Sequence, residues 1–211
     1  LKKYNPEIVV VDPVMISKSG YSLLRPEAKE NLIKYLIPMA YLVTPNVPEA
    51  EEITGIKIEN VEDMKKVGEK ILELGPKYVL MKGGHLEGDA IDVLIGKDTF
   101  EIYKENRVNR KNTHGTGCTL SSAITSHIAL GYDVVEAVRL SKIYITEAIR
   151  HSFDIGHGVG PINHFYKFEK VDYILLLAYY KHKYNKSVKP VQRRNGKSIP
   201  EKTKCPKCGA P

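Results

Sequence analysis

Short apolar runs alternate with helical patterns along the first 166 residues, and this alternation constrains the fold more than any other feature. The first run, residues 8–11, reads Ile-Val-Val-Val, and such β-branched residues favour a strand that is buried on both faces of a sheet. Residues 41–43 and 78–81 form the next two runs, and segments with helical spacing separate them. Strands that alternate with helices predict an α/β fold with a parallel sheet and helices on both faces.

The same pattern predicts the remaining elements. Apolar spacing predicts helices at residues 26–37, 49–53, 60–74, 115–130 and 133–150. Two apolar runs on either side of Gly96-Lys97-Asp98 predict a β-hairpin. An all-apolar strand normally has neighbours on both sides, and the sequence offers nothing before residues 8–11. We therefore expect another chain, or a missing N-terminal portion of the domain, to cover that strand.

The net charge of +7 is confined to the end of the chain. Residues 1–166 contain 20 Lys and Arg against 22 Asp and Glu, a net charge of −2. Residues 167–211 contain 12 against 3, a net charge of +9. We predict a folded domain over residues 1–166 and a basic, poorly ordered tail over residues 167–211. A tail of this charge predicts weak, salt-sensitive binding to nucleic-acid backbones, and a basic tail without such a partner is the alternative.

Composition excludes several classes of protein. Apolar residues make up 42% and charged residues 27% of the chain, as in globular proteins rather than disordered ones. The longest apolar candidate, residues 171–180, is too short to cross a bilayer, and the N-terminus lacks the apolar segment of a signal peptide. Three cysteines do not make a disulfide framework. We expect a cytoplasmic protein with no membrane partner.

The strongest candidate site is a Gly-rich segment directly before a predicted helix, Asn112-Thr113-His114-Gly115-Thr116-Gly117-Cys118-Thr119. Gly115 and Gly117 let backbone N–H groups converge on an anion, Thr116 adds a hydroxyl donor, and the helix N-terminus adds partial positive charge. Cys118 falls in the first helical turn, where thiolates form more readily. The segment predicts a phosphate site or, because short Gly motifs give many false matches, a plain loop with a small buried Cys.

Three of the predicted strands end on charged or amide side chains. Asp12 follows the first strand, Asn46 and Glu49 follow the second, and Lys82 ends the third. The carboxyl ends of parallel strands share one sheet edge, where open α/β sheets bind ligands. The carboxylate and amide oxygens would suit a hydrated Mg²⁺, and the lysine would neutralise phosphate oxygens. Taken singly, each side chain has a plainer explanation: a turn Asp, a helix cap, a solvated Glu and a surface lysine.

Together, these motifs resemble the hydroxymethylpyrimidine/phosphomethylpyrimidine kinases of thiamine biosynthesis, which are members of the ribokinase-like superfamily. Five segments carry the resemblance, in the expected order and at the expected separations, over residues 1 to about 166. They are Val-Asp-Pro-Val-Met at 11–15, Thr-Pro-Asn-Val-Pro-Glu-Ala-Glu at 44–51, Met-Lys-Gly-Gly-His at 81–85, the Gly-rich segment at 112–119 and Gly-His-Gly-Val-Gly-Pro at 156–161. The resemblance implies a ribokinase-like three-layer fold with a mostly parallel sheet.

The resemblance also implies an activity and its phosphate-binding residues. A member of this family transfers a phosphoryl group from ATP, with Mg²⁺, to hydroxymethylpyrimidine and then to the resulting monophosphate. Such a reaction needs positioning and charge neutralisation more than covalent chemistry. By resemblance, Gly115, Thr116 and Gly117 form the anion hole, and Lys82 contacts the ATP phosphates.

The remaining roles follow from the same resemblance. Cys118 stands where ribokinase relatives generally carry an aspartate base, and it would assist deprotonation of the substrate hydroxyl. Asp12 and Glu49 would hold Mg²⁺ largely through water, with Asn46 nearby. Val14 would line the pyrimidine pocket. The implied partner is the small-molecule pyrimidine, and a homodimer is left open.

Members of this family carry a further N-terminal portion before the strand at residues 8–11, with a Gly-rich segment that binds the pyrimidine. We therefore expect an N-terminally truncated ribokinase-like domain with impaired phosphotransfer. An inactive fragment and a separate N-terminal polypeptide that completes the site are the alternatives.

The basic tail carries two further signals. Cys205 and Cys208 form a Cys-x-x-Cys pair, which is half of a zinc ribbon. Four ligands are needed and the sequence has no second pair, so we predict no tight zinc site. Residues 189–208 weakly resemble the N-terminal portion of some insertion-sequence transposases, which implies that an element entered the kinase gene.

Overall fold

The computed structural model describes residues 1, 3–16, 21–84, 86, 88–154 and 157–168. The chain divides into two compact units, Leu1–Tyr166 and Lys167–Pro211. Only residues 167 and 168 of the second unit are among those described. The predicted tail properties, including the Cys205 and Cys208 pair, the transposase-like segment and nucleic-acid binding, therefore lie outside the described residues.

A five-stranded sheet lies at the centre of the first unit. Its strands are β1 (Val10–Val11), β2 (Leu42–Val43), β3 (Tyr78–Lys82), β4 (Ala90–Gly96) and β5 (Thr99–Glu105). The strands lie side by side in chain order; β1, β2 and β3 pair in parallel, whereas β4 pairs antiparallel with both β3 and β5. Four of the five strands therefore run in one direction. The predicted mostly parallel α/β sheet and the β4–β5 hairpin are confirmed.

Five α-helices occur within the described residues. They are α1 (Pro26–Asn31), α2 (Val47–Thr54), α3 (Val61–Leu72), α4 (Thr116–Ala129) and α5 (Val134–Arg150). Capping side chains fix the starts of α3 and α5: Asn60 accepts from the first turn of α3, and Asp133 accepts from the first turn of α5. No helix in this part of the chain has the length and apolar character that a bilayer span requires.

Two segments differ from the sequence prediction. The predicted helix at residues 26–37 is regular only over α1, and it continues as a π-helical turn, Leu32–Leu36, and a 3₁₀ turn, Ile37–Met39. Pro38 lies in that last turn, where it has no N–H to donate. The predicted strand at residues 8–11 shortens to β1, and Ile8 is 40% exposed. Among the described residues β1 is an edge strand, so its outer side has no paired neighbour.

The sheet separates two apolar cores, with helices on both faces. Successive residues of β3 point to opposite sides: Leu80 packs with α4 and α5, whereas Val79 and Met81 pack with α2 and α3. All three side chains are fully buried. The arrangement is a three-layer one, and it fixes the end of β3 at the carboxyl edge of the sheet.

A buried asparagine braces the loop before α4. Asn112 is fully buried; its Nδ2 donates to Asp154 Oδ1 at 2.6 Å, and its Oδ1 accepts from Gly160 N at 2.8 Å. His114 N donates to Gly160 O at 3.2 Å. A Cβ at Gly160 would lie 2.5 Å from Asn112 Oδ1 and 2.7 Å from Phe153 O, so the contact requires glycine. Gly160 therefore supports the loop at residues 112–115, which leads into α4.

Replacing Leu80 by alanine should lower the free energy of unfolding by about 2–5 kcal/mol, because the change opens a cavity in a closed core. Leu130→Ala is the matched control: Leu130 is 76% exposed, so we expect a change within about 0.5 kcal/mol. Urea denaturation of the two variants measures the difference. Equal losses at the two positions would contradict this placement of the core.

Gly160→Ala should lower the free energy of unfolding by about 1–3 kcal/mol, because the added methyl overpacks the brace around Asn112. Gly158→Ala provides the control, since a Cβ at Gly158 meets nothing within 4 Å. Thermal or urea unfolding of both variants gives the comparison. A Gly160→Ala variant as stable as Gly158→Ala would show that the brace does not form.

Candidate active site at the carboxyl edge of the sheet

A largely buried ion pair joins the ends of β1 and β3. Lys82 Nζ donates to Asp12 Oδ1 at 2.8 Å, and the two side chains are 12% and 14% exposed. Thr44, which follows β2, donates from its Oγ1 to the same aspartate oxygen at 3.1 Å. The ends of three adjacent parallel strands thus meet at one point. The explanation of Lys82 as an ordinary surface lysine is excluded by its burial and its partner.

Asn46 and Glu49 cap α2 beside this ion pair. Asn46 Oδ1 accepts from Glu49 N at 2.9 Å, and Glu49 Oε2 accepts from Asn46 N at 2.8 Å, which is a capping box. The helix-cap explanation of Asn46 therefore applies, and its side-chain oxygen is engaged. Glu49 is 2% exposed, and burial raises the pKa of its carboxyl group. The Asn46 N–H and the charge of Lys82 act in the opposite direction, and the charge of Asp12 raises this pKa further.

The Gly-rich loop, which is the segment at residues 112–119 that leads into α4, lies directly against the ion pair. A Cβ at Gly117 would lie 3.3 Å from Lys82 Nζ and 3.9 Å from Asp12 Oδ2. Gly115 precedes α4 with a φ of 82°, a left-handed conformation that glycine adopts without strain. The N-terminus of a 14-residue helix and a lysine ammonium are therefore adjacent. Both favour negative charge, so the space beside Gly117 and Lys82 suits an anion.

Hydroxyl groups connect the Gly-rich loop to the end of β2. Ser121 Oγ lies 3.1 Å from Gly117 O and 2.9 Å from Thr44 Oγ1, and its single proton is donated to one of these two acceptors. Thr116 Oγ1 donates to Thr113 O at 3.2 Å, so this hydroxyl is used within the loop. These contacts hold the loop at a fixed distance from the ion pair.

A cavity of about 530 Å³ opens beside the ion pair and the loop, a size that fits a small-molecule ligand. Four of the predicted site residues line it: Asn46, Lys82, Thr116 and Gly117. Three charged residues that the sequence analysis did not single out line it as well: Asp92, Arg107 and Lys142. The lining of the cavity therefore includes three cationic side chains, Lys82, Arg107 and Lys142.

Cys118 and Val14 do not line this cavity. Cys118 is exposed and lines a second cavity of about 490 Å³ along α4 and α5, together with Ser122, His127 and Tyr144. Val14 is 41% exposed. The structure thus brings Asp12, Glu49, Lys82 and the Gly-rich loop together, and it places the predicted thiol on a different cavity, one residue beyond Gly117.

The donor set at this edge fits a hydrated Mg²⁺ rather than a closed metal site. The part of the chain that the structure describes has no cluster of three or more His, Cys, Asp and Glu side chains that could hold a metal ion. Asp12 and Glu49 are nevertheless close enough for the charge of Asp12 to raise the pKa of Glu49. Mg²⁺ is commonly held by one or two carboxylates, substrate phosphates and several waters, and two carboxylates beside an anion site match that pattern.

Two of the missed residues left a signal in the sequence. Lys142 Nζ donates to Asp92 Oδ2 at 2.5 Å, and both residues are 5% exposed. Asp92 interrupts the apolar run of β4, and Lys142 falls on the buried face of α5 between Val138 and Ile145. A charged residue at an apolar position indicates a buried partner, so this pair was detectable in principle.

Arg107 left no such signal. Its guanidinium group donates to three backbone carbonyl oxygens of the segment between β3 and β4: Gly84 O at 2.9 Å, Leu86 O at 2.6 Å and Gly88 O at 2.7 Å. Every residue has a backbone carbonyl oxygen, so no sequence pattern predicts which of them will accept from Arg107.

Two curated proteins have sequences similar to this chain. A bifunctional thiamine biosynthesis protein of Geobacter sulfurreducens is 45% identical over 172 residues, which are 81% of this chain and 35% of that protein. The hydroxymethylpyrimidine/phosphomethylpyrimidine kinase of Bacillus subtilis is 41% identical over 167 residues, which are 78% of this chain and 62% of that protein. The chain therefore spans 35% to 62% of the length of these two relatives.

Solved structures agree with the sequence relatives. The crystal structure of phosphomethylpyrimidine kinase from Clostridium difficile 630 is 72% identical, with a TM-score of 0.63 over 71% of this chain and 60% of that chain. A Staphylococcus aureus pyridoxal kinase in complex with ADP is 34% identical, with a TM-score of 0.72 over 80% of this chain and 61% of that chain. These similarities confirm the ribokinase-like fold. The family model described as phosphomethylpyrimidine kinase matches residues 1–163, and the chain belongs to this family.

Proposed function

We propose that this chain binds ATP with Mg²⁺ in the 530 Å³ cavity and takes part in phosphoryl transfer to hydroxymethylpyrimidine and then to its monophosphate. The observation that carries the proposal is the largely buried Asp12–Lys82 pair lying against Gly117 at the N-terminus of α4. The names of the relatives support the reaction. A structural neighbour that binds ADP supports the nucleotide.

Lys82 and the N-terminus of α4 supply positive charge to the phosphate chain. Phosphoryl transfer depends mainly on positioning and on neutralising the charge of the phosphate oxygens. Asp12 fixes the Lys82 ammonium by a 2.8 Å hydrogen bond, so the cation is held in place before the nucleotide enters. The backbone N–H groups at Gly115 and Gly117 approach the phosphate closely because neither residue carries a side chain.

Asp12 and Glu49 are the residues that would hold Mg²⁺ through water. When bound, the ion neutralises charge on the phosphate oxygens. The capping box with Asn46 holds the Glu49 carboxyl group in one orientation. In this arrangement Asn46 acts through Glu49, because its own side-chain oxygen accepts from the helix backbone.

Cys118 and Val14 belong to the acceptor side of the proposed reaction. Cys118 directly follows Gly117 at the start of α4, so the thiol lies one residue from the loop that is proposed to hold the phosphoryl group. We propose that the thiol assists deprotonation of the hydroxymethyl group. The exposed side chain of Val14 would contact the pyrimidine ring.

Lys82→Met should weaken the binding of ADP with Mg²⁺ by about tenfold or more, because a charge-assisted hydrogen bond to phosphate is lost. Lys97→Met is the control, because Lys97 is an exposed lysine in the turn between β4 and β5. Isothermal titration calorimetry measures both affinities, and circular dichroism verifies that the variants are folded. Equal affinities for the two variants would argue against phosphate binding by Lys82.

A further inference from the structure

A second buried ion pair lines the same cavity and has no part in the function proposed above. Lys142 Nζ on α5 donates to Asp92 Oδ2 on β4, and both residues are 5% exposed. Burying two charges is costly even when they are paired, so stability alone does not explain a pair in this position. Asp92 and Lys142 line the same cavity as Lys82, which suggests that the pair serves the Lys82 site.

The other carboxylate oxygen of Asp92 binds the backbone next to Lys82. Gly83 N donates to Asp92 Oδ1 at 3.1 Å. Lys82 and Asp92 are partners in the β3–β4 register, so their side chains lie on the same face of the sheet. One carboxylate therefore connects α5, β4 and the residue directly after β3.

The end of β3 packs tightly against β4 at this point. Gly83 N also donates to Ile91 O at 2.9 Å, and a Cβ at Gly83 would lie 2.2 Å from the same oxygen. At Gly84, one residue later, a Cβ would meet nothing within 4 Å. The tight contact thus includes Gly83 and ends before Gly84, so it constrains the backbone directly after Lys82.

We propose that Asp92 is a positioning residue that holds the Lys82–Gly83 backbone, through Gly83 N–H and Lys142, so that the Lys82 ammonium points at Asp12 and the phosphate position. This inference rests on the proposed function, which assigns Lys82 to the ATP phosphates. A carboxylate suits this role because it accepts from a backbone N–H with one oxygen and compensates a buried ammonium with the other.

Two substitutions separate the two contacts of Asp92. Asp92→Asn keeps an oxygen that can accept from Gly83 N and loses the charge that faces Lys142. Asp92→Ala loses both contacts. Asp89→Asn is the matched control, because Asp89 pairs with Lys104 at 2.8 Å on the exposed side of the same hairpin.

Ligand-free and ligand-bound measurements test the proposal separately. In the ligand-free protein, NMR follows the Lys82 ammonium signal and the exchange rate of the Gly83 amide relative to the Leu80 amide. For Asp92→Ala we expect a shifted Lys82 signal, at least about tenfold faster relative exchange at Gly83, and at least about fivefold weaker binding of ADP with Mg²⁺. Asp92→Asn should fall between Asp92→Ala and wild type, and Asp89→Asn should match wild type in all three.

Three results would overturn the proposal. One is an Asp92→Ala protein with wild-type exchange at Gly83 and an unchanged Lys82 signal. Another is faster exchange with unchanged affinity for ADP and Mg²⁺, which would make the role of Asp92 merely structural. If Asp92→Ala does not fold, Asp92→Asn decides, and its agreement with Asp89→Asn overturns the proposal. Wild-type protein that binds no ADP would instead refute the proposed function, while the ligand-free signals would still report on Asp92.

Discussion

The ion pair between Lys82 and Asp12 is the interaction on which the rest of the site depends. It ties the end of β3 to the end of β1 across the intervening strand β2, with Thr44 bonded to the same carboxylate. Gly117 then brings the N-terminus of α4 against the pair, since any side chain at that position would crowd the Lys82 ammonium. The position of each remaining group, from the capping box of α2 to the Gly-rich loop, is set relative to this one contact.

The charged side chains at this edge of the sheet are largely removed from water, which carries a cost in free energy. Two ion pairs, Asp12 with Lys82 and Asp92 with Lys142, lie within one cavity lining and its immediate surroundings, and all four side chains are largely buried. Replacing such pairs by apolar residues often leaves stability unchanged or improves it, so stability alone does not account for them. The proposed binding of ATP phosphates would account for cations held in place, because fixed charges need little reorganisation when an anion enters.

Part of this site could be predicted from the sequence because the carboxyl ends of parallel strands lie at one edge of a sheet. The β-branched and apolar runs predicted β1, β2 and β3, and parallel pairing then required Asp12, Asn46 and Lys82 to share an edge. The partners of these groups did not follow, because partner choice is set by packing between distant elements. Asp92 and Lys142 are 50 positions apart and meet only because α5 packs on the sheet face that Asp92 shares with Leu94. Ile8, which was predicted to lie in a strand buried on both faces, is 40% exposed beside the edge strand β1.

Amide hydrogen exchange with and without ADP and Mg²⁺ tests the central claim most directly. The first backbone N–H groups of α4 have no partners within the helix, so a bound phosphate should protect them strongly. The account predicts new protection confined to residues 115–118 and to residues 82–84 at the end of β3. Protection confined to the second cavity along α4 and α5, or no change at either segment, would contradict it.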